Sequence, residues 1–282
     1  GGVGSSCAYD TLCSNLYQDT FGEGIFCGKG LIDVNAFYTL CCGFFPSEQI
    51  LSHDILEGSV LRTAFAGDVE FSDSFPPNST SYFKRLHRWI RGDFQNISYL
   101  AKKIETNDGE ISNPFRLLDK FKLFDNIRRA ATPLNILLLF YLTFFFDRYN
   151  GLTIVLIGAL CILIPYIASF LGSIINNGLY SVSRKYYSGV ISQTTEIISQ
   201  GCFALLLLPQ LAVISFDAAV RALWRKYVSK KNLLEWTTAS QTESGGISLF
   251  TKIQLFIIPE FLSIALLFSP VYSLRFIALF FS

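Results

Sequence analysis

Residues 151–175 carry no charged side chain, and no other feature of the sequence limits the fold as strongly. As a helix this run rises about 37 Å at ~1.5 Å per residue, enough to cross a hydrocarbon core of ~30 Å. A second uncharged run, 130–146, ends just before Asp147 and Arg148, so the two read as a helical hairpin. Arg128 and Arg129 precede the hairpin, and Arg184 and Lys185 follow it. Basic flanks of this kind mark the cytoplasmic side of a bilayer.

Two later apolar runs are less regular. Residues 197–216 contain Gln200, Gly201, Pro209 and Gln210, and a basic cluster from Arg221 to Lys231 follows. Spanning would put that cluster outside, so a re-entrant or interfacial segment is expected. Residues 253–274 read as a further span despite Pro259 and Glu260, and a Glu at that depth faces protein or water. The expectation is a multi-pass membrane protein with its first part in the cytoplasm.

That first part has a different composition. Most acidic groups precede residue 130, and the break near Pro133 divides the chain into a soluble region and a membrane region. The expected boundaries are 1–110 for an α/β domain, 111–129 for an amphipathic interface helix and 130–282 for the membrane region. The interface helix opens at Pro114. It sets Phe115, Leu117, Leu118, Phe121 and Phe124 against Arg116, Lys120, Lys122, Arg128 and Arg129, a composition suited to lying among lipid headgroups. Helices are also expected over 30–42, 54–66 and 81–101, with a short strand at Val69–Phe71. A net charge of +1 gives no indication of nucleic-acid binding. Seven cysteines without a C-x-x-C spacing fit free thiols in a reducing compartment. The chain has no Met and stops within an apolar run, so it is expected to be an internal piece of a longer protein.

The chemistry is concentrated in residues 21–94. His53-Asp54-Ile55-Leu56-Glu57 puts one carboxylate at a loop-to-helix junction and a second a turn later. One carboxylate suffices as the base that takes a proton from an attacking hydroxyl. Arg85-Leu-His-Arg88-Trp89 places guanidinium groups beside an indole. Fixed positive charge suits a diphosphate leaving group, and the indole face suits a pyranose ring. Alone, either motif has a plain surface or packing explanation.

Together they are more specific. An Asp at a helix start, then Arg-x-x-Arg-Trp, then an interface helix and membrane spans is similar to the layout of processive family-2 glycosyltransferases such as cellulose, chitin and hyaluronan synthases. Phe21-Gly-Glu-Gly-Ile-Phe, Gly28-Lys-Gly-Leu-Ile-Asp-Val-Asn-Ala-Phe, Leu51-Ser-His-Asp-Ile-Leu-Glu-Gly and Arg85-Leu-His-Arg-Trp-Ile-Arg-Gly-Asp resemble one branch, the cyclic β-1,2-glucan synthases of glycosyltransferase family 84. Phe124-Asp-Asn-Ile-Arg-Arg and Leu233-Leu-Glu-Trp-Thr-Thr-Ala resemble it too.

The resemblance implies the C-terminal half of a GT-A-like α/β nucleotide-sugar domain followed by a helical membrane domain. It implies Asp54 as the base, with Arg88 on the diphosphate and Trp89 on the acceptor. Arg85, Glu57, Glu23 and Gly24 complete the implied substrate-binding set. The implied partners are UDP-glucose, a β-glucan acceptor and the lipid bilayer. Mg2+ or Mn2+ is the implied cofactor. Its Asp-x-Asp ligands would lie upstream, because no Asp-x-Asp occurs in the chain, and the chain alone is therefore expected to be inactive. Two departures stand out: Asn35 and Phe94 replace the Asp and Trp usual in that branch. A family-2 synthase with another product and a non-catalytic glucan-binding membrane protein remain alternatives.

Other motifs fail. The Gly24–Gly30 stretch is one spacer short of a P-loop. With only His53 and His87, a His-built triad or metal site is not expected. Arg91-Gly-Asp93 reads as a helix-end feature. The sequons at Asn78 and Asn96 lie in the region expected to be cytoplasmic.

Overall fold

A computed structural model describes residues 15–26, 28, 30–46, 48–69, 76, 78–145, 148–177, 184–235 and 249–281. The chain forms two compact units, one of residues 1–130 with 217–246 and one of 131–216 with 247–282.

In the first unit, α1 (Asn15–Phe21), α2 (Val34–Leu40) and α3 (Asp54–Leu61) precede the longer α4 (Ser79–Gln95). Asp33 caps α2 by accepting from the amides of Asn35 and Ala36 at 2.9 and 3.0 Å. Asn78 caps α4 by accepting from Ser81 N at 2.8 Å, which occupies the first sequon's side chain. A 3-10 turn (Asn96–Leu100) leads into the hairpin of β1 (Lys103–Thr106) and β2 (Gly109–Ser112), paired antiparallel. Gly109 supplies the φ of +118° that closes this turn. Ile55 and Leu56 of α3 pack with Tyr99, Ile104, Phe115 and Leu123 to form the core of the unit. Tyr99 and Phe115 stack at 5.8 Å.

Among the described residues this hairpin is the whole of the sheet structure, so the unit is mostly helical where an α/β domain is expected. Val69 lies in no strand, and residues 70 and 71 of the expected strand fall outside the described residues. The helix expected over 54–66 ends at Arg62, which takes a φ of +65°.

α5 (Leu117–Leu142) runs without a break through residues 129 and 130, where a separate interface helix and a new span were expected. The shift in composition there is not a stop signal. No Gly or Asn cap ends the helix, and Pro133 is accommodated inside it.

The second unit contains the 3-10 turn Thr143–Phe145, α6 (Arg148–Asn177), α7 (Arg184–Leu206) and the start of α8 (Leu208–Trp224). It also holds α9 (Leu249–Lys252), a π turn (Ile253–Ile257), α10 (Ile258–Leu266) and α11 (Tyr272–Phe281). Its core joins Ile136, Leu137, Phe140, Val155, Leu266 and Leu274. Gly151 and Gly158 sit a heptad apart on α6, and a Cβ there would lie 2.3 Å from Val271 and 2.5 Å from Phe140. These glycines admit close side-chain approach in the way small residues do between membrane helices. Thr143 and Ser269, both fully buried, share a hydroxyl hydrogen bond of 2.9 Å.

Two described helices are long and apolar enough to cross a membrane, Asn150–Ala168 and Leu249–Leu266. A third possibility is the pair Thr194–Leu206 and Leu208–Ser229, bent by 60°. Pro209, just past the break, cannot supply the amide that would carry a straight helix onward. The expected span over 130–146 is not among these candidates. The run expected as one span over 253–274 is interrupted instead, since α10 stops at Leu266 and a new helix begins at Tyr272 beyond Ser269-Pro270.

Candidate active site

His53 occupies the cap position of α3, with Asp54 and Glu57 in its first turn, where a helix favours negative charge. The His53 Nδ1 lies 2.9 Å from a Glu57 carboxylate oxygen and 3.5 Å from Asp54 Oδ1. Phe26 and Gly28 lie against this helix, and glycines make that approach possible. A Cβ on Gly58 would stand 2.9 Å from the Phe26 Cβ, and one on Gly28 would stand 2.9 Å from Asp54 Oδ2. Gly28 also has a φ of +83°.

α4 supplies the opposite charge. Its Arg88 and the Asp54 carboxylate are close enough that each shifts the ionisation of the other. Burial pushes the Asp54 carboxyl above the ordinary carboxylate range, assisted by Glu57, while His53 and Arg88 pull it down. The hydrogen bond to Glu57 holds the His53 imidazole above its ordinary value, against burial. Burial, with Arg85 nearby, lowers Arg88. Arg85 lies over the Trp89 ring at 4.7 Å, one turn along the helix. The arrangement thus holds a carboxylate of raised basicity within electrostatic range of a guanidinium, with a cation-backed indole on the same helix as that guanidinium. Such a carboxylate can take a proton from a hydroxyl near neutral pH.

Glu23 and Gly24 fall to a different task. Glu23 is 3% exposed. Its carboxylate meets Arg62 at 2.9 Å, Arg116 at 2.6 Å and Lys122 at 2.7 Å. Burial raises its pKa, but the hydrogen bonds from Lys122 and Arg116 outweigh burial and hold it below the usual range. Gly24 donates its amide to Thr63 O at 2.7 Å, and a Cβ there would press on the Phe65 amide at 3.0 Å. Both residues fasten this loop, Glu23 to Arg62, Arg116 and Lys122 and Gly24 to the segment after α3.

Sequence reasoning passed over a second set of contacts on α4. His87 Nε2 lies 2.8 Å from Asp217 Oδ2, which also accepts from Arg221 at 2.7 Å. Arg91, 8% exposed, donates to the Glu235 carbonyl. Burial, with Arg225 beside it, pushes its pKa down to about 10. The remainder of the Leu233-Leu-Glu-Trp-Thr-Thr-Ala motif, from Trp236, lies outside the described residues. A cavity of about 470 Å³ lies elsewhere, in the second unit. It is lined by Tyr141, Phe144, Phe145, Phe261 and Phe268 and carries no acid or cation.

Among the described residues, one group brings three possible metal ligands within 4.8 Å of one another: His53, Asp54 and Glu57. It does not fit the Mg2+ or Mn2+ implied for a diphosphate. Those ions prefer oxygen ligands, and this imidazole is already bonded to Glu57 and favours its protonated form. No chemical step is assigned to a metal at this site.

No family model matches the chain. Over 239 residues, 84% of its length, it is 32% identical to the cyclic beta-(1,2)-glucan synthase NdvB of Rhizobium meliloti (strain 1021). The chain spans 8% of that relative's length. The chain is thus a relative of the cyclic β-(1,2)-glucan synthases and corresponds to a portion of such a synthase.

Proposed function

We propose that this chain is the base-bearing part of a membrane-bound, inverting glucosyltransferase that adds glucose from UDP-glucose to a growing β-1,2-glucan. Asp54 takes the proton from the acceptor hydroxyl as that oxygen attacks the anomeric carbon. Arg88 stabilises the negative charge that develops on the departing diphosphate. Trp89, backed by Arg85, offers its indole face to the acceptor sugar, and Glu57 sets the charge state of His53 beside the base. The divalent cation and its ligands belong to a part of the synthase outside these residues. In this reading the protein sits in a bacterial inner membrane, with Asp54 and Arg88 on the cytoplasmic side.

The observation that carries the reading is the electrostatic meeting of Asp54 and Arg88, contributed by separate helices. Relatedness to a glucan synthase supports the substrate class. The test is Asp54→Asn in the intact synthase, which is expected to lower glucose transfer by at least ~10²-fold, the scale of a lost general base. Transfer at the wild-type rate would remove Asp54 from the mechanism.

A further inference from the structure

Asp54 follows a loop whose backbone is gripped by the end of α4. Gln95, 5% exposed, accepts a hydrogen bond from the Leu51 amide through its side-chain oxygen at 2.9 Å. Asn96, 3% exposed, donates from its side-chain amide to the Ser52 carbonyl at 2.7 Å. Gly92 completes the grip by what it lacks, because a Cβ there would lie 2.5 Å from the Ser52 Cβ. The helix backbone therefore rests directly on the residue two positions before Asp54. The same helix carries Arg88 one turn before Gly92, so one rigid element sets both the guanidinium and the foot of the carboxylate. A further contact pins the helix end from another direction, since Lys226 donates to the Gln95 carbonyl and to the Ser98 hydroxyl.

We propose that Gln95 and Asn96 are positioning residues for the Asp54 carboxylate, acting by holding the backbone of Leu51 and Ser52 at a fixed distance from Arg88. The proposal rests on the reading of Asp54 as the base. Both hydrogen bonds satisfy backbone groups that a buried loop must otherwise leave unpaired. A displacement of about 1 Å at a reacting group can cost on the order of 10²-fold in rate.

The experiment measures two quantities in the intact synthase, glucose incorporated into glucan and UDP released. A displaced base fails to activate the sugar hydroxyl while the donor can still be lost to water. Gln95→Met keeps the length and removes the acceptor, and Gln95→Glu keeps the acceptor. Gln95→Met is expected to lower glucose incorporated per UDP released by at least ~10-fold, and Gln95→Glu is expected to restore much of the ratio. A merely structural role lowers the amount of active enzyme and leaves the ratio unchanged, and that result overturns the proposal. Should Gln95→Met not accumulate as folded protein, Gly92→Ala presses on Ser52 from the helix side and is read in the same way. An unchanged ratio in Gly92→Ala also overturns it. Asp54→Asn is measured alongside. If it lowers the ratio and the positioning variants do not, only the positioning role fails. If it leaves both quantities at wild-type levels, the base assignment itself fails.

Discussion

Glu23 holds three cations in the structure and has a substrate role by resemblance, and Glu23→Gln separates the two roles. The substitution keeps the shape and removes the charge. Of the three cations it abandons, Arg62 is 55% exposed and returns to water at little cost. Arg116 keeps its bond to Asp119 at 2.9 Å. Lys122 is the exception, at 10% exposed with its ammonium 2.7 Å from the Glu23 carboxylate. A buried charge stripped of its partner costs ~3–5 kcal/mol, and with one cation of three stranded the lower end, about 3 kcal/mol, applies. At roughly 2–4 °C per kcal/mol for a domain of 150–250 residues, the apparent Tm falls by about 6–12 °C. Tryptophan fluorescence in detergent during heating reads the shift. Adding Lys122→Met removes the stranded ammonium and recovers more than half of the loss. The pH dependence has a definite sign: Glu23 is depressed below the ordinary glutamate value. Its contribution is therefore complete above the unfolded-state pKa and disappears as pH falls through the lower, folded-state one, and Glu23→Gln abolishes that acid-side dependence. A Glu23→Gln enzyme that melts with the wild type but binds donor more weakly would refute this reasoning and return Glu23 to the substrate.

Two further outcomes follow from the geometry. After burial, the charge acting most strongly on Asp54 is that of His53, so His53→Gln moves the acid limb of the kcat/KM profile to higher pH. A limb that stays in place or moves down counts against that coupling. Gly28→Ala and Gly43→Ala both place a Cβ at positive φ, +83° and +87°, with a similar backbone cost of about 1 kcal/mol. Only at Gly28 does the new methyl collide with the Asp54 carboxylate, while Gly43 faces open space. Thermal unfolding is expected to shift comparably in the two variants, and glucose transfer to fall by on the order of tenfold or more in Gly28→Ala alone; equal activity in both would remove Gly28 from the site.

The helices were readable where periodicity and capping agree. Asp54 and Glu57 in the first turn announce α3, whereas α4, expected over 81–101, starts at Ser79 behind the Asn78 cap and ends at Gln95. The hairpin at 103–112 was not anticipated despite its Asn-Asp-Gly turn between Ile104 and Ile111, because four-residue strands with only Ile104 and Thr106 buried carry little pattern. The course of α5 was not legible. Charge pattern and hydropathy change near residue 130, yet helix continuity depends on backbone hydrogen bonds, and those are indifferent to the change. A run of apolar residues likewise does not reveal that Ser269-Pro270 divides it into two helices.

The site divides in the same way. Arg88 and Trp89, proposed to act with Asp54, stand out in the sequence because they are chemically distinctive residues at fixed spacing. The faces that hold α4 in place use side chains that look ordinary in sequence. His87 and Arg91, one turn apart, are answered by Asp217 and Glu235, which lie more than a hundred residues downstream. Gln95 and Asn96 are answered by backbone groups, which leave no trace in residue type. Glu23 shows the converse. A carboxylate within a glycine-rich motif invites a substrate role, while its partners in the structure, Arg62, Arg116 and Lys122, are separated from it by 39 to 99 residues. A motif therefore marks which segments must lie close together, but the long-range partner decides what each side chain within it does. On α4 the motif shows Arg88, while the side chains that grip the backbone before Asp54, Gln95 and Asn96, lie outside it.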